Sequence, residues 1–244
     1  MQNGSDRAGA KALRYIDLFC GIGGFRQAME NLARERGGAS QCVFSSDIDE
    51  DCQASYAANF GHTPLGDIQQ VDERDVPKHD LLLAGFPCQP FSIMGQKRGF
   101  EDARGTLFFD IARILKAQQP KAFVLENVRL LVNHNKGHTL RRILETIREL
   151  GYECEYRVLN ALDFGLPQKR ERVFIVGYRA GIQFDWPRGG VPMKQLAEVL
   201  ERNVDRKHYA SEHIRNRRFS RLEPQQELTI WHENKSGHIS ANGS

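Results

Sequence analysis

Strand-like and helix-like runs alternate through most of this 244-residue chain, and that alternation limits the folds open to it. Leu13 to Phe19 reads as a strand, and Phe25 to Arg34 carries Phe25, Ala28, Met29 and Leu32 at helical spacing. A second strand is expected over Gln41 to Ser45 and a helix near Glu50 to Asn59. Asp80 to Ala84 and Ala122 to Leu125 read as further strands. Leu107, Ile111, Ile114 and Leu115 mark one helix face. Leu140, Ile143, Leu144, Ile147 and Leu150 mark another, ended by Gly151. Glu153 to Leu159 and Arg172 to Tyr178 read as a closing strand pair. This order predicts an α/β fold, a mostly parallel sheet with helices on both faces. The character changes after about Arg179. Phe184 to Pro192 has two prolines and a Gly-Gly pair, as a linker would. The reading is therefore one domain over residues 1–180 and a linker with a further segment over 181–244.

The net charge of +3 permits nucleic-acid binding without requiring it. Basic residues concentrate at Arg202, Arg206, Lys207, Arg215, Arg217, Arg218 and Arg221, a stretch that suits DNA phosphates, solvent or a partner chain equally. The five cysteines, Cys20, Cys42, Cys52, Cys88 and Cys154, are odd in number and widely spaced, with no C-x-x-C. A metal site or disulfide framework is not expected, and a reducing cytoplasm is. No apolar run approaches a membrane span, and Met1 to Ala10 lacks the apolar core of a signal peptide.

Two loops carry the chemistry. The first strand runs into Cys20-Gly21-Ile22-Gly23-Gly24, where glycines let a ligand approach the backbone at a helix N-terminus. The spacing is not that of dinucleotide sites. Asp47, at the end of the second strand, suits two ribose hydroxyls. Asp67, in Gly66-Asp67-Ile68, suits an adenine amino group. Both residues also suit a cap or a turn. A glycine turn with two carboxylates fits a nucleoside ligand lacking a pyrophosphate, such as S-adenosylmethionine. The second loop is Gly85-Phe86-Pro87-Cys88-Gln89-Pro90-Phe91-Ser92, which places a cysteine between two prolines just past a strand end. That position suits a nucleophile, although most free cysteines are small buried hydrophobes.

These motifs, in this order, resemble those of the DNA cytosine-5 methyltransferases of bacterial restriction–modification systems. The resemblance spans about residues 13–179. It continues through Gly99-Phe100-Glu101-Asp102, Arg104-Gly105-Thr106-Leu107-Phe108, Glu126-Asn127-Val128 and Gln168-Lys169-Arg170-Glu171-Arg172. It implies a Rossmann-like methyltransferase fold and S-adenosylmethionine as cofactor, contacted by Phe19, Gly21, Ile22, Gly23, Gly24, Asp47, Ile48, Asp67, Ile68, Gly85, Pro87 and Leu107. Cys88 takes the role of the thiolate that adds to cytosine C6, making C5 nucleophilic. Glu126 takes that of the acid at N3, a task for which a closed, partly apolar pocket can keep a carboxyl protonated. Arg170 and Arg172 resemble the pair that contacts the base carbonyl. By themselves, Glu126 also reads as a strand-end partner of an arginine and the Gln168 run as a charged turn. The substrate implied is double-stranded DNA with the cytosine flipped out. Gln89 and Ser92 would contact the flipped nucleotide. Lys97, Arg98 and Arg104 would meet phosphates on a lid hinged at Gly95, Gly99 and Gly105.

The chain departs from the family at two places. Asp47-Ile48 stands where the family often has Glu and an aromatic. The target-recognition region and the last two motifs are not found, although Trp231 to Ser240 looks like the entry to them. The expectation is a split enzyme whose second polypeptide supplies them. A truncated enzyme and a non-catalytic regulatory homologue are the alternatives. A transfer-RNA methyltransferase is a further one, disfavoured by the absence of a Cys-Phe-Thr signature.

Overall fold

The computed structural model describes residues 12–87, 107–219, 231–233 and 239–241. The chain forms two compact units, Met1–Leu159 with Arg172–Asp185 and Asn160–Glu171 with Trp186–Ser244. The first unit ends at Asp185, and residues 160–171 group with the later segment.

The first unit is built on a six-stranded sheet. Its strands are β1 (Leu13–Leu18), β2 (Ser40–Ser46), β3 (Leu81–Ala84), β4 (Ala122–Val128), β5 (Glu153–Asn160) and β6 (Glu171–Tyr178), in the order β2-β1-β3-β4-β6-β5. The pairs β1·β2, β1·β3 and β3·β4 are parallel, whereas β6 runs antiparallel to β4. The sheet is therefore mostly parallel, as expected.

Successive strand residues point to opposite faces, and both faces are covered. Ile16, Leu18, Leu82, Ala84, Phe123 and Leu125 pack with Ile111 and Ile114 of α3 (Leu107–Gln118) and Leu140, Ile143 and Ile147 of α4 (His138–Glu149). Tyr15 and Leu83 turn the other way and pack with Met29 and Phe25 of α1 (Gly24–Arg36). Local signals set the helix ends. Gly37, in the left-handed region at φ 63°, returns its N–H to Ala33 and Arg34 and closes α1. Asp49 opens α2 (Glu50–Phe60) by accepting from the Cys52 N–H at 2.9 Å.

In the second unit, Asn160 Oδ1 accepts from the Leu162 and Arg170 N–H groups at 3.3 and 3.2 Å. The stretch read as a linker has bonds of its own: Gly190 and Val191 donate to the Asp163 carbonyl at 3.0 and 3.1 Å. Two short helices follow, α5 (Leu196–Val199) and α6 (Glu212–Phe219), then the antiparallel pair β7 (Trp231–Glu233) and β8 (Ile239–Ala241).

Candidate active site

Register brings the two informative loops to one edge of the sheet. Leu18 at the end of β1 pairs with Ser46 on one side and Ala84 on the other, and Ala84 pairs with Leu125. The chain leaves β1 toward β2 on one side and returns to β3 on the other. The crevice of an open α/β sheet lies at such a reversal, outside the carboxyl ends of the strands. The glycine turn, Asp47, Gly85 and Glu126 all stand at these ends.

On the β1 side, Phe19 leaves the strand at φ 53°, and Gly21 and Gly23 are left-handed at φ 52° and 94°. The turn is pinned by Cys20 N–H to the Ser46 carbonyl at 3.1 Å and Gly23 N–H to the Cys20 carbonyl at 2.9 Å. Asp47, just past β2, accepts from the Gly21 N–H at 2.7 Å and the Asp49 N–H at 3.0 Å. Each of its oxygens keeps a further acceptor site, which suits a diol. Asp67 opens a 3-10 turn over Ile68–Gln70, accepting from the Gln69 N–H at 2.9 Å. The cap geometry anticipated for Asp67 is thus present, and its second oxygen takes no part in it. Among the described residues, chain neighbours and a helix's own backbone aside, nothing lies within 4 Å of where a Cβ would stand on Gly21, Gly24 or Gly66. Ile22 and Ile48 are exposed at 65 % and 72 %. An open glycine turn, acceptor carboxylates and apolar walls fit S-adenosylmethionine. Ile68 differs from the other residues in that set, because its side chain is buried in the core. Leu107 is half-buried and packs against the same core.

On the β3–β4 side, Gly85 donates to the Leu18 carbonyl at 3.2 Å. Glu126 Oε2 lies 3.6 Å from where a Cβ on Gly85 would be. Arg172 stands two residues from Phe174, the cross-strand partner of Glu126, so the two charged side chains are diagonal neighbours. The Arg172 Nε–Glu126 Oε1 distance is 2.8 Å. The arginine partner anticipated for Glu126 is therefore Arg172. Arg170 is exposed in the second unit, with its N–H on Asn160. Pro87 is exposed at the end of the described stretch. Cys88, Gln89, Ser92, Lys97, Arg98 and Arg104 lie outside the described residues.

Burial raises the thiol pKa of Cys20, Cys42, Cys52 and Cys154. Each of these four therefore holds its proton and is a poor nucleophile at neutral pH. Among the described residues, no cluster of His, Cys, Asp and Glu could hold a metal ion. No described helix is long and apolar enough to cross a membrane.

Two supports escaped the sequence reading. Asn127, 2 % exposed, donates from Nδ2 to the Phe86 carbonyl at 2.8 Å and accepts from the Val128 N–H at 2.8 Å. It ties the end of β4 to the loop two residues before Cys88. Phe60 closes the glycine turn from behind: a Cβ on Gly23 would overlap its ring, which lies tilted against Tyr56 with centroids 4.8 Å apart and 5.3 Å from the Arg26 guanidinium. The signal for Asn127 was its place beside Glu126. Phe60 offered none, because its partner Gly23 is 37 residues away in the sequence.

The profile of the family described as C-5 cytosine-specific DNA methylase matches residues 13–242. The type II methyltransferase M.NgoBI of Neisseria gonorrhoeae is 51 % identical over 229 residues, which are 93 % of this chain and 70 % of that protein. M.HaeII of Haemophilus aegyptius is 46 % identical over 234 residues, 95 % of this chain and 72 % of its own length. The crystal structure of a DNMT2 mutant of Spodoptera frugiperda superposes with a TM-score of 0.67 at 24 % identity, covering 86 % of this chain and 65 % of that one. At that identity the likeness concerns the fold.

Proposed function

Because the chain belongs to the C-5 cytosine-specific DNA methylase family, enzymes that take their methyl group from S-adenosylmethionine, we propose that it methylates C5 of a flipped-out cytosine in duplex DNA through a transient bond from Cys88. The observation that carries this reading is the convergence of Gly85, Glu126 and Arg172 on the sheet edge that also bears the glycine turn and Asp47.

In this reading the Cys88 thiolate forms a bond to C6, and the electron pair displaced from the C5–C6 double bond makes C5 nucleophilic. Bound S-adenosylmethionine would supply the electrophilic methyl group that C5 takes up, the sulfonium leaving as the neutral thioether S-adenosylhomocysteine. Glu126 serves N3, where charge builds as the thiolate adds. Arg172 fixes the Glu126 carboxyl through Nε, and Arg172 and Arg170 are the two cations that serve the base carbonyl. Loss of the C5 proton to solvent base and departure of Cys88 restore the aromatic ring. Asp47 and Asp67 hold the cofactor's ribose and adenine. Gln89, Ser92, Lys97, Arg98 and Arg104 serve the DNA strand, and a bacterial cytoplasm is the location. The four protonated thiols support assigning the nucleophile to Cys88.

A radiolabelled methyl-transfer assay on cytosine-containing duplex DNA tests the proposal. The chain is assayed alone and with a polypeptide carrying the motifs not found in it. Label at C5 in either arm, lost in Cys88→Ser, is the expected result. Transfer only in the mixture supports the two-polypeptide arrangement. Transfer that persists in Cys88→Ser overturns the covalent mechanism.

A further inference from the structure

One arginine joins the apolar contacts that fasten the Asp67 turn to the fold. Leu65 is locked to the sheet edge, donating to the Ser45 carbonyl at 2.9 Å and accepting from the Asp47 N–H at 2.8 Å. From there until Asp80 donates to the Arg14 carbonyl, the backbone bonds among the described residues stay within the segment: Gln70 to Asp67, Val71 to Ile68 and Asp75 to Asp72. Its connection to the rest of the unit comes from buried Ile68 and Val76, from Val71 packed against the same core, and from polar side chains of α3. Arg113 Nη2 donates to the Ile68 carbonyl at 2.6 Å and Nη1 to the Val71 carbonyl at 2.8 Å. The same guanidinium meets Glu73 Oε2 and Asp110 Oδ1, each at 3.0 Å. Gln118, farther along α3, donates to the Glu73 carbonyl at 2.6 Å.

We propose that Arg113 is a positioning residue for the cofactor, acting through the Ile68 carbonyl to fix the Asp67 turn and the carboxylate it presents. The inference rests on the reading of Asp67 as a cofactor contact. A planar fork with fixed donors suits the task. It reaches two carbonyls of one tight turn at once, while Asp110 and Glu73 hold its plane. A lysine keeps the charge between those carboxylates and loses the fork, so the Ile68 carbonyl, adjacent to Asp67, is freed while the ion pairs survive.

The test is equilibrium dialysis of the full chain with radiolabelled S-adenosylmethionine, with thermal melting in parallel, on Arg113→Lys, Asp67→Asn, the double variant and Gln118→Ala. Each of the first two is expected to raise Kd about tenfold, the size of one lost charge-assisted hydrogen bond. If Arg113 acts through Asp67, the double variant binds no more than about twofold more weakly than the weaker single, since residues sharing one role are not additive. Gln118→Ala loosens the same segment away from Asp67, so it is expected to lower Tm and leave Kd unchanged. Additive losses, a Kd unmoved in Arg113→Lys, or an equal loss in Gln118→Ala each overturn the proposal. A Kd unmoved in Asp67→Asn, or a parent chain that binds no S-adenosylmethionine, instead overturns the cofactor reading beneath it.

Discussion

Gly23 and Gly24 are adjacent glycines with opposite tolerances. Gly23 holds φ 94° with the Phe60 ring where a Cβ would go, whereas Gly24 has open space at that position. Gly23→Ala is therefore expected to cost about 1–2 kcal/mol from the backbone alone, more once the ring is displaced, and to weaken S-adenosylmethionine binding. Gly24→Ala is expected to be near neutral in stability. Urea titration on the two variants, with cofactor binding measured on Gly23→Ala, checks this, and equal loss of stability would refute it. Cys88 calls for a different comparison. Cys88→Ser is expected to abolish methyl transfer with S-adenosylmethionine affinity nearly unchanged. It should also remove one fast-alkylating thiol at pH 7, because Cys20, Cys42, Cys52 and Cys154 stay protonated. Fast labelling that survives in the serine variant would assign the reactive thiol elsewhere. The glycine turn and Asp47 were legible because their work is local, a turn and a strand end. The role of Phe60 was not, since it depends on where α2 lands.

Strand β4 delivers both Glu126 and Asn127, one residue to each face, as strand geometry requires. Glu126 faces Gly85 and Arg172, while Asn127 is buried and ties the loop that leads to Cys88. Asn127→Ala leaves the Phe86 carbonyl without its donor. It is expected to lower stability by about 1–3 kcal/mol, and to reduce kcat with the KM for S-adenosylmethionine little changed. A steady-state comparison checks the split, and a loss confined to KM would show that the tether serves the cofactor instead. Element positions were legible almost throughout. The expected Gln41 to Ser45 strand is Ser40–Ser46, and Asp80 to Ala84 is Leu81–Ala84. Their apolar runs are short and bounded by turn residues, which makes them readable. The antiparallel insertion of β6 between β4 and β5 was not legible. Strand order depends on contacts distant in sequence, and it is this insertion that puts Arg172 beside Glu126.

The whole first unit folds around a carboxyl that no water reaches. Asp17 is fully buried on the α1 face of the sheet, where the Arg26 backbone N–H and the Tyr56 hydroxyl approach its oxygens without full hydrogen-bond geometry. Burial pushes its pKa up to about 8, against a lesser opposing pull from Arg26. The folded state therefore keeps a proton that the unfolded chain releases above an ordinary carboxylate pKa of about 4. Stability from this group is full below that value and falls as pH rises toward about 8. His79 acts with the opposite sign. Burial lowers its pKa, so the unfolded chain binds more protons and stability rises with pH through the range below about 6.5. Between those two values Asp17 dominates. Asp17→Asn is expected to stabilise the protein there and to flatten its pH dependence. Urea midpoints from pH 6.5 to 8 measure the slope, and a slope unchanged in the asparagine variant would count against a protonated Asp17. In the sequence Asp17 is one letter of the strand read over Leu13 to Phe19, and nothing in its neighbours marks it as the acid sealed inside. A fold that closes over a protonated carboxyl also draws that proton from its surroundings, so near neutrality the heat of unfolding measured by calorimetry should change with the ionisation enthalpy of the buffer.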